Sequence, residues 1–541
     1  MLRIAGNRTG WVARASMLGI GLLDLPTSEP ALIQFDVDLD EERDDHAAVV
    51  ALAMLSRSTD PKALPGLDRY MSGKWGAALA SAAAIAYAEL ADDTRKRRVL
   101  DVIQSSEIPG VVAPLLEWLG RNAQQRRPDL EINVLRSILF NEQRADLAVV
   151  RKLEEWREQR KLRMIAVRNA PNQPLQQDAI KKLNDVIELV RATIPAWQLP
   201  NAGAFNAVGF EDIQFDNVRT SAAVGLGHID HPAARQALLD CLDLRADASA
   251  DNFKAMAIMA LGEHEPLGRP VARDKLHEIF ANTDSNGNAK PAGRLSSPLR
   301  GFAAIALGLY CRPVETAQGP ADREQVDKVA ELLAERAADV RETTEVRAAS
   351  IVALGLTART ENLRYLQKLS DMIDASDELL IGYIFLARGL LADANILEPA
   401  RRFLDPTNDS TTPEAIIARR AAVLGVGSVR TDESIPVLVN AWDLNFYVNR
   451  EVILALRLCN AYSVTSQLIE LAESGATDYS RMFGAEALGV LYDRTQPDRI
   501  DTRLLHERNF MLRNDAMTPY KSIGNEFFYE YLAPLLGGDW L

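Results

Sequence analysis

The stretch Asp216-Asn-Val-Arg219-Thr-Ser-Ala222-Ala223-Val-Gly-Leu226-Gly227 decides the fold, because its pattern returns five more times along the 541-residue chain. Set on the basic residue, the copies fall at Arg219, Lys254, Arg300, Arg347, Arg419 and Arg481. Eight positions on stands a glycine each time, Gly227, Gly262, Gly308, Gly355, Gly427 and Gly489. Seven positions on stand Leu226, Leu261, Leu307, Leu354, Val426 and Leu488; three positions on stand Ala222, Ala257, Ala303, Ser350, Ala422 and Gly484, all small. Offsets of three, four and seven share one helical face, so these residues predict an apolar stripe whose small side chain lets a second helix approach. Three positions before the basic residue, Asp216, Asp251, Ser297, Thr344 and Asp478 offer an oxygen to the unpaired amides of a helix's first turn; only Ile416 breaks that column. The glycine is expected to close each helix in the left-handed conformation. Each copy is thus read as a capped helix of about three turns.

Such a helix is marginal alone. A second helical run follows the first four glycines, at Pro232-Ala-Ala-Arg-Gln-Ala-Leu-Leu, Pro270-Val-Ala-Arg-Asp-Lys-Leu, Asp327-Lys-Val-Ala-Glu-Leu-Leu and Thr360-Glu-Asn-Leu-Arg-Tyr-Leu, so the unit is a helix pair. Successive basic residues lie 35, 46, 47, 72 and 62 positions apart, and the two longest gaps each have room for a degenerate unit, around Ile381-Gly-Tyr-Ile384 and Asn449-Arg-Glu-Val452. Stacked pairs of this period predict an all-α fold, an α-solenoid of antiparallel helix pairs. The pattern Asp-x-x-Val-Arg-x-x-Ala-x-x-x-Leu-Gly resembles the HEAT-like repeats of the phycobilisome-lyase type, with Asp216 to Gly227 and Asp478 to Gly489 matching best. The resemblance implies a fold rather than a reaction, since such repeats serve as scaffolds, adaptors and accessory factors.

Three regions are expected: an irregular helical part over 1–205, either degenerate repeats or a cap; the repeat solenoid over 206–505; and an aromatic-rich cap over 506–541, carrying Tyr520, Phe527, Phe528, Tyr529, Tyr531 and Trp540. Residues 36–45 hold seven acids and open as a calcium loop does, but Glu41 stands where the sharp turn needs glycine and Ala47 where a glutamate belongs, so they read as a solvated connector. The most basic helix, Arg144 to Arg168, interleaves Glu154, Glu155 and Glu158 at helical spacing, the pattern of a salt-bridged, solvated face. Asn282 to Gly293 is a turn-rich insertion between repeats.

A formal charge of −14 disfavours nucleic acid or an anionic membrane surface as partner. Cys241, Cys311 and Cys459 form no Cys-x-x-Cys and sit on or beside apolar stretches, as buried free thiols do. The apolar uncharged stretches Ala15 to Leu23 and Gly76 to Ala88 are short of the ~20 residues a bilayer requires. Arg3, Arg8 and Arg14 before Met17 imitate a secretory signal without a cleavage site, which leaves a cytoplasmic location as the default.

Chemistry-bearing clusters are sparse. His228, Asp230, His231 and His264, with Glu263 and Glu265 near by, are conceivable metal ligands, yet His231 precedes Pro232 and Asp230 suits a helix cap. The His-Glu pairs at His264, His277 and His506 are not at helix starts, where the di-iron hydroxylase of this repeat class carries them, and no nucleophile elbow, phosphate loop or dinucleotide fingerprint occurs. No catalytic, cofactor-binding or metal residue is therefore assigned. The leading expectation is a non-enzymatic scaffold or adaptor binding a protein partner through a solenoid groove. An accessory factor or lyase-like enzyme holding a small molecule or chromophore in that groove comes second, and a nucleic-acid binder using the basic helix 144–168 third.

Overall fold

The computed structural model describes residues 64–72, 77–106, 109–123, 128–140, 210–243, 250–264, 270–282, 297–311, 320–374, 376–405, 412–442, 448–475 and 477–492, with 181, 184 and 185 besides. Among them every regular element is helical. Even-numbered helices form one row: α2 (Ala77–Leu90), α4 (Pro109–Arg121), α6 (Phe210–Gly227), α8 (Ala250–His264), α10 (Ser297–Tyr310), α12 (Thr344–Leu356), α14 (Glu378–Leu390), α16 (Pro413–Val429), α18 (Asn449–Leu458) and α20 (Asp478–Leu491). Odd-numbered helices form the outer layer: α1 (Leu64–Tyr70), α3 (Lys96–Ser105), α5 (Asp129–Leu139), α7 (Pro232–Leu242), α9 (Pro270–Ala281), α11 (Pro320–Ala338), α13 (Leu363–Met372), α15 (Leu397–Phe403), α17 (Ser434–Ala441) and α19 (Thr465–Ser474).

Each even helix packs on the next, from α2 through to α20. The row crosses residue 205 without a break, since α4 lies directly against α6. The chain is an all-α solenoid, and the two long sequence gaps each hold one more inner helix, α14 and α18. Outer helices lean forward: all but α17 pack on the inner helix that follows more than on the one before, α7 only slightly so, whereas α17 rests somewhat more on α16 than on α18.

The glycine column has a different cause from the one expected. None of the repeat glycines whose surroundings are described has a positive φ; they lie inside their helices, against the backbone of the next inner helix. A Cβ on Gly262 would stand 2.6 Å from Ala306 Cα, one on Gly308 2.5 Å from Ala353 O, one on Gly355 2.7 Å from Ala387 Cα, and one on Gly427 2.5 Å from Ala455 Cα. The partner residues belong to a second column, six positions after the basic residue at Gly225, Ala260, Ala306, Ala353, Gly425 and Ala487, and six after Ile381 and Asn449 of the degenerate units at Ala387 and Ala455. Glycine eight therefore meets alanine or glycine six of the next unit, and the absent side chains let two backbones touch. The left-handed residues that do end inner helices are Ala358, Ala392, Arg430 and Asn460, with φ of 53°, 57°, 61° and 50°. They follow the column-eight residues Gly355, Gly389, Gly427 and Arg457 by three positions.

The basic column closes the other seam. Arg219 Nε donates to Leu139 O at 2.8 Å, Arg300 Nε to Phe280 O at 3.1 Å, Arg347 Nε to Ala337 O at 3.1 Å and Arg481 Nη1 to Gly475 O at 2.6 Å. Each acceptor lies in the last turn, or just past the end, of the outer helix before it, where carbonyls lack intrahelical partners and the helix dipole is negative. Arg219, Lys254 and Arg419 are buried. A cation is thus placed where it satisfies an otherwise orphaned acceptor and fastens the outer helix to the inner one.

Two more expectations are corrected. The inner helices are apolar all round rather than along one stripe: residues 301–311 are buried without exception, as are 348–357. A helix flanked on three sides buries its whole circumference, whereas the outer α13 keeps only Leu366 and Leu369 fully inside. Two caps stand one residue before the expected column, where Thr477 accepts from Ser480 N at 3.0 Å and Thr343 from Val346 N at 3.5 Å, while Thr412, four before it, accepts from Ala415 N at 3.2 Å. Ile416 breaks the column because α16 begins at Pro413, and Asp216 lies well inside α6.

Candidate interaction surface

The left-handed residue sets the geometry of the surface. From Ala358, Ala392, Arg430 and Asn460 the chain runs through a short turn into α13, α15, α17 and α19 with no insertion between copies. Eight positions on, Leu366, Ala400, Leu438 and Leu468 all point inward and are buried. The next residue points out: Gln367, Arg401, Val439 and Ile469 are exposed. So are the residues two positions after the left-handed one, Thr360, Ala394, Asp432 and Tyr462. The framework repeats while the exposed side chains change from unit to unit.

The opposite side of the inner row is closed from α10 to α16. Column zero faces the outer layer, since its arginines reach outer-helix carbonyls, so residues two and five positions later point away from it. Those residues, Phe302 and Ile305, Ala349 and Val352, Tyr383 and Leu386, Ala421 and Leu424, are all buried. Exposed side chains in this part of the molecule belong to the outer helices, their turns and the first turns of the inner helices, as at Thr344 and Glu414.

The buried charges serve the architecture. Arg300 holds Glu342 through two bonds, of 2.9 and 2.7 Å, and Arg336 adds a third at 3.0 Å, tying α10 and α11 to the turn before α12. Burial pushes the Glu342 carboxyl up, but the hydrogen bonds and charge of Arg300, with Arg336 behind, outweigh it and hold the group below the ordinary carboxylate range. Arg388 pairs with Asp393 at 2.7 Å within one unit, and Arg420 with the fully buried Glu451 at 2.9 Å between α16 and α18. Lys96 on α3 pairs with the buried Glu131 on α5.

His228, Asp230 and His231 form a turn, as the position of His231 before Pro232 suggests. His231 Nδ1 accepts from Ala233 N at 3.2 Å and caps α7, the task assigned to Asp230. Asp230 is exposed and pairs with Arg235 at 3.6 Å. Among the described residues no group of three His, Cys, Asp or Glu side chains is placed to hold a metal ion. Cys241 and Cys311 are buried free thiols, and burial pushes each up to about 12; Cys459, half-buried, is raised by burial to about 11. Glu265, the pair His506-Glu507, the acidic stretch 36–45, the basic helix 144–168, the insertion beyond Asn282 and the aromatic segment 506–541 lie outside the described residues. No described helix is long and apolar enough to cross a membrane.

A family model for the PBS lyase HEAT-like repeat matches residues 218–243, the helix pair formed by most of α6 with α7. No curated protein matches the chain.

Proposed function

We propose that this chain, a HEAT-like repeat protein, is a non-enzymatic scaffold or adaptor that binds a protein partner. The observation that carries the reading is the outer surface of α13, α15 and α17: a fixed backbone presenting Thr360 and Gln367, then Ala394 and Arg401, then Asp432 and Val439, at equivalent exposed positions. A rigid row with interchangeable side chains is how solenoids build extended recognition surfaces, with each unit adding a small patch to the whole. The groove expected from the sequence gives way in this reading to the outer face, because the side chains facing away from that layer are buried between Phe302 and Leu424.

The test uses the full chain as bait against extract from its own source, beside a variant in which Gln367, Arg401 and Val439 all become glutamate. All three are exposed, so the variant is expected to fold as the parent does. A protein recovered in stoichiometric amount by the parent and lost by the variant supports the proposal. Equal recovery by both removes the surface from it, and a preparation carrying only a small molecule or salt-released nucleic acid overturns the scaffold reading itself.

A further inference from the structure

The last described unit differs from the others in carrying a large apolar or aromatic side chain at both exposed positions of the outer surface. Tyr462 is 48 % exposed and Ile469 45 % exposed, at positions held by Thr360, Ala394 and Asp432 and by Gln367, Arg401 and Val439. Tyr492 at the end of α20 completes the cluster. Its ring lies 5.3 Å from that of Tyr462, and its hydroxyl is 2.8 Å from Thr465 Oγ1 on the exposed side of α19. Two tilted aromatic rings, 42° between their planes, form one edge of an apolar platform, with Ile469 one helical turn beyond Thr465 on the same face. The same end is open in a second way. Leu488 is only half-buried, while its column mates Leu226, Leu261, Leu307, Leu354 and Val426 are all buried.

We propose that this platform is the docking site of the chain's own residues 525–536, Asn-Glu-Phe-Phe-Tyr-Glu-Tyr-Leu-Ala-Pro-Leu-Leu. Apolar residues predominate there, with Phe527, Phe528, Tyr531 and Leu532 at the offsets of one helical face. A linker of roughly 30 residues has a mean span of about 30 Å, so the segment reaches the platform without strain. Tethering keeps its local concentration in the millimolar range, above what a second copy of the chain offers in dilute solution. Docked there, the segment removes Tyr462, Ile469 and Tyr492 from water and supplies the apolar cover that Leu488 lacks.

The experiment places p-benzoylphenylalanine at Ile469 in the full chain, irradiates it at micromolar concentration, and maps the products by mass spectrometry. Ile469 is exposed, so the substitution leaves the fold intact. The expected product is an intrachain cross-link to a peptide within 525–541, with a yield independent of protein concentration. Phe528→Asp in the same background should lower that yield by ~tenfold or more, since it puts a charge where docking would bury an aromatic ring. The photoreactive residue at Gln367, the equivalent exposed position on α13, should give no product with that segment. Cross-links between two chains assign the platform to a second copy and overturn the proposal. So does a product with any other part of the chain, or none at all.

Discussion

Replacing Gly308 by alanine separates two roles for the glycine column by the sign of the effect. In an ordinary helix the change stabilises by up to ~1 kcal/mol, because alanine loses less backbone freedom on folding. At Gly308 the new Cβ would stand 2.5 Å from Ala353 O, 2.9 Å from its Cα and 3.0 Å from its carbonyl carbon, all backbone atoms of α12. Carbon contacts are comfortable at ~3.5 Å and beyond, so α10 and α12 must part by about 1 Å there. That gap forfeits a quarter to a half of the dispersion attraction of each contact along the seam, and overpacking of this kind costs ~1–3 kcal/mol even after the propensity gain. The control is Gly66→Ala in α1, where nothing lies within 4 Å of the new methyl, and this change should be neutral or stabilising. Urea unfolding of the full chain followed by far-ultraviolet circular dichroism reads both. Because solenoids unfold unit by unit, hydrogen exchange supplies the local readout. Gly308→Ala should quicken exchange in α12, far along the sequence, as well as in α10. Gly308→Ala matching Gly66→Ala in sign, or an effect confined to the last turn of α10, would refute the seam.

Arg219→Met keeps the apolar stem but removes the donor to Leu139 O, and should cost ~1–3 kcal/mol and loosen the last turn of α5; exchange rates unchanged there would detach the basic column from that role. Ala358→Gly and Arg430→Gly relieve left-handed strain of roughly 1–2 kcal/mol against a glycine entropy penalty of about half that, so each should raise the urea midpoint, and a lower midpoint contradicts it. Glu342 has a folded-state pKa below its unfolded value, so its contribution is full above the unfolded pKa of ~4.3 and is lost as pH falls through the folded value. The parent should therefore lose stability more steeply than Glu342→Gln on acidification from neutral pH, and parallel curves would contradict this. The thiols of Cys241 and Cys311, raised to about 12 by burial, should react with iodoacetamide at pH 8 only on unfolding; fast alkylation of the native chain would count against their burial.

Much of the fold was legible because repetition shows which positions the architecture constrains. The small residues at Ala222, Ala257, Ala303 and Ala422 announced close helix packing, and the phase of the repeat located α14 and α18 in gaps with no clear motif. The cause of the glycine column was misread because a glycine near the end of an apolar run looks alike whether it ends a helix or admits a neighbour's backbone. The deciding signal was in plain view two positions earlier, where only alanine or glycine occurs, at Gly225, Ala260, Ala306, Ala353, Gly425 and Ala487. The arginine column served only as a register mark, since its acceptors are backbone carbonyls, which no sequence displays. The interaction surface was less legible still. Exposure at Gln367, Arg401, Val439 and Ile469 follows from a register between outer helices that appears only once the left-handed residues are superposed.

The forward lean of the outer helices decides where this molecule can be cut. Sequence copies begin with an inner helix, and the matched segment 218–243 is such a copy, but in space an outer helix belongs mostly to the inner helix after it. A fragment that starts at α12 leaves α11 behind, and with it the cover of the new first helix and the carbonyl of Ala337 that Arg347 requires. A fragment that starts at α11 keeps both. Truncations for biophysical work, and any graft of these units onto another array, belong between an even helix and the odd one that follows it.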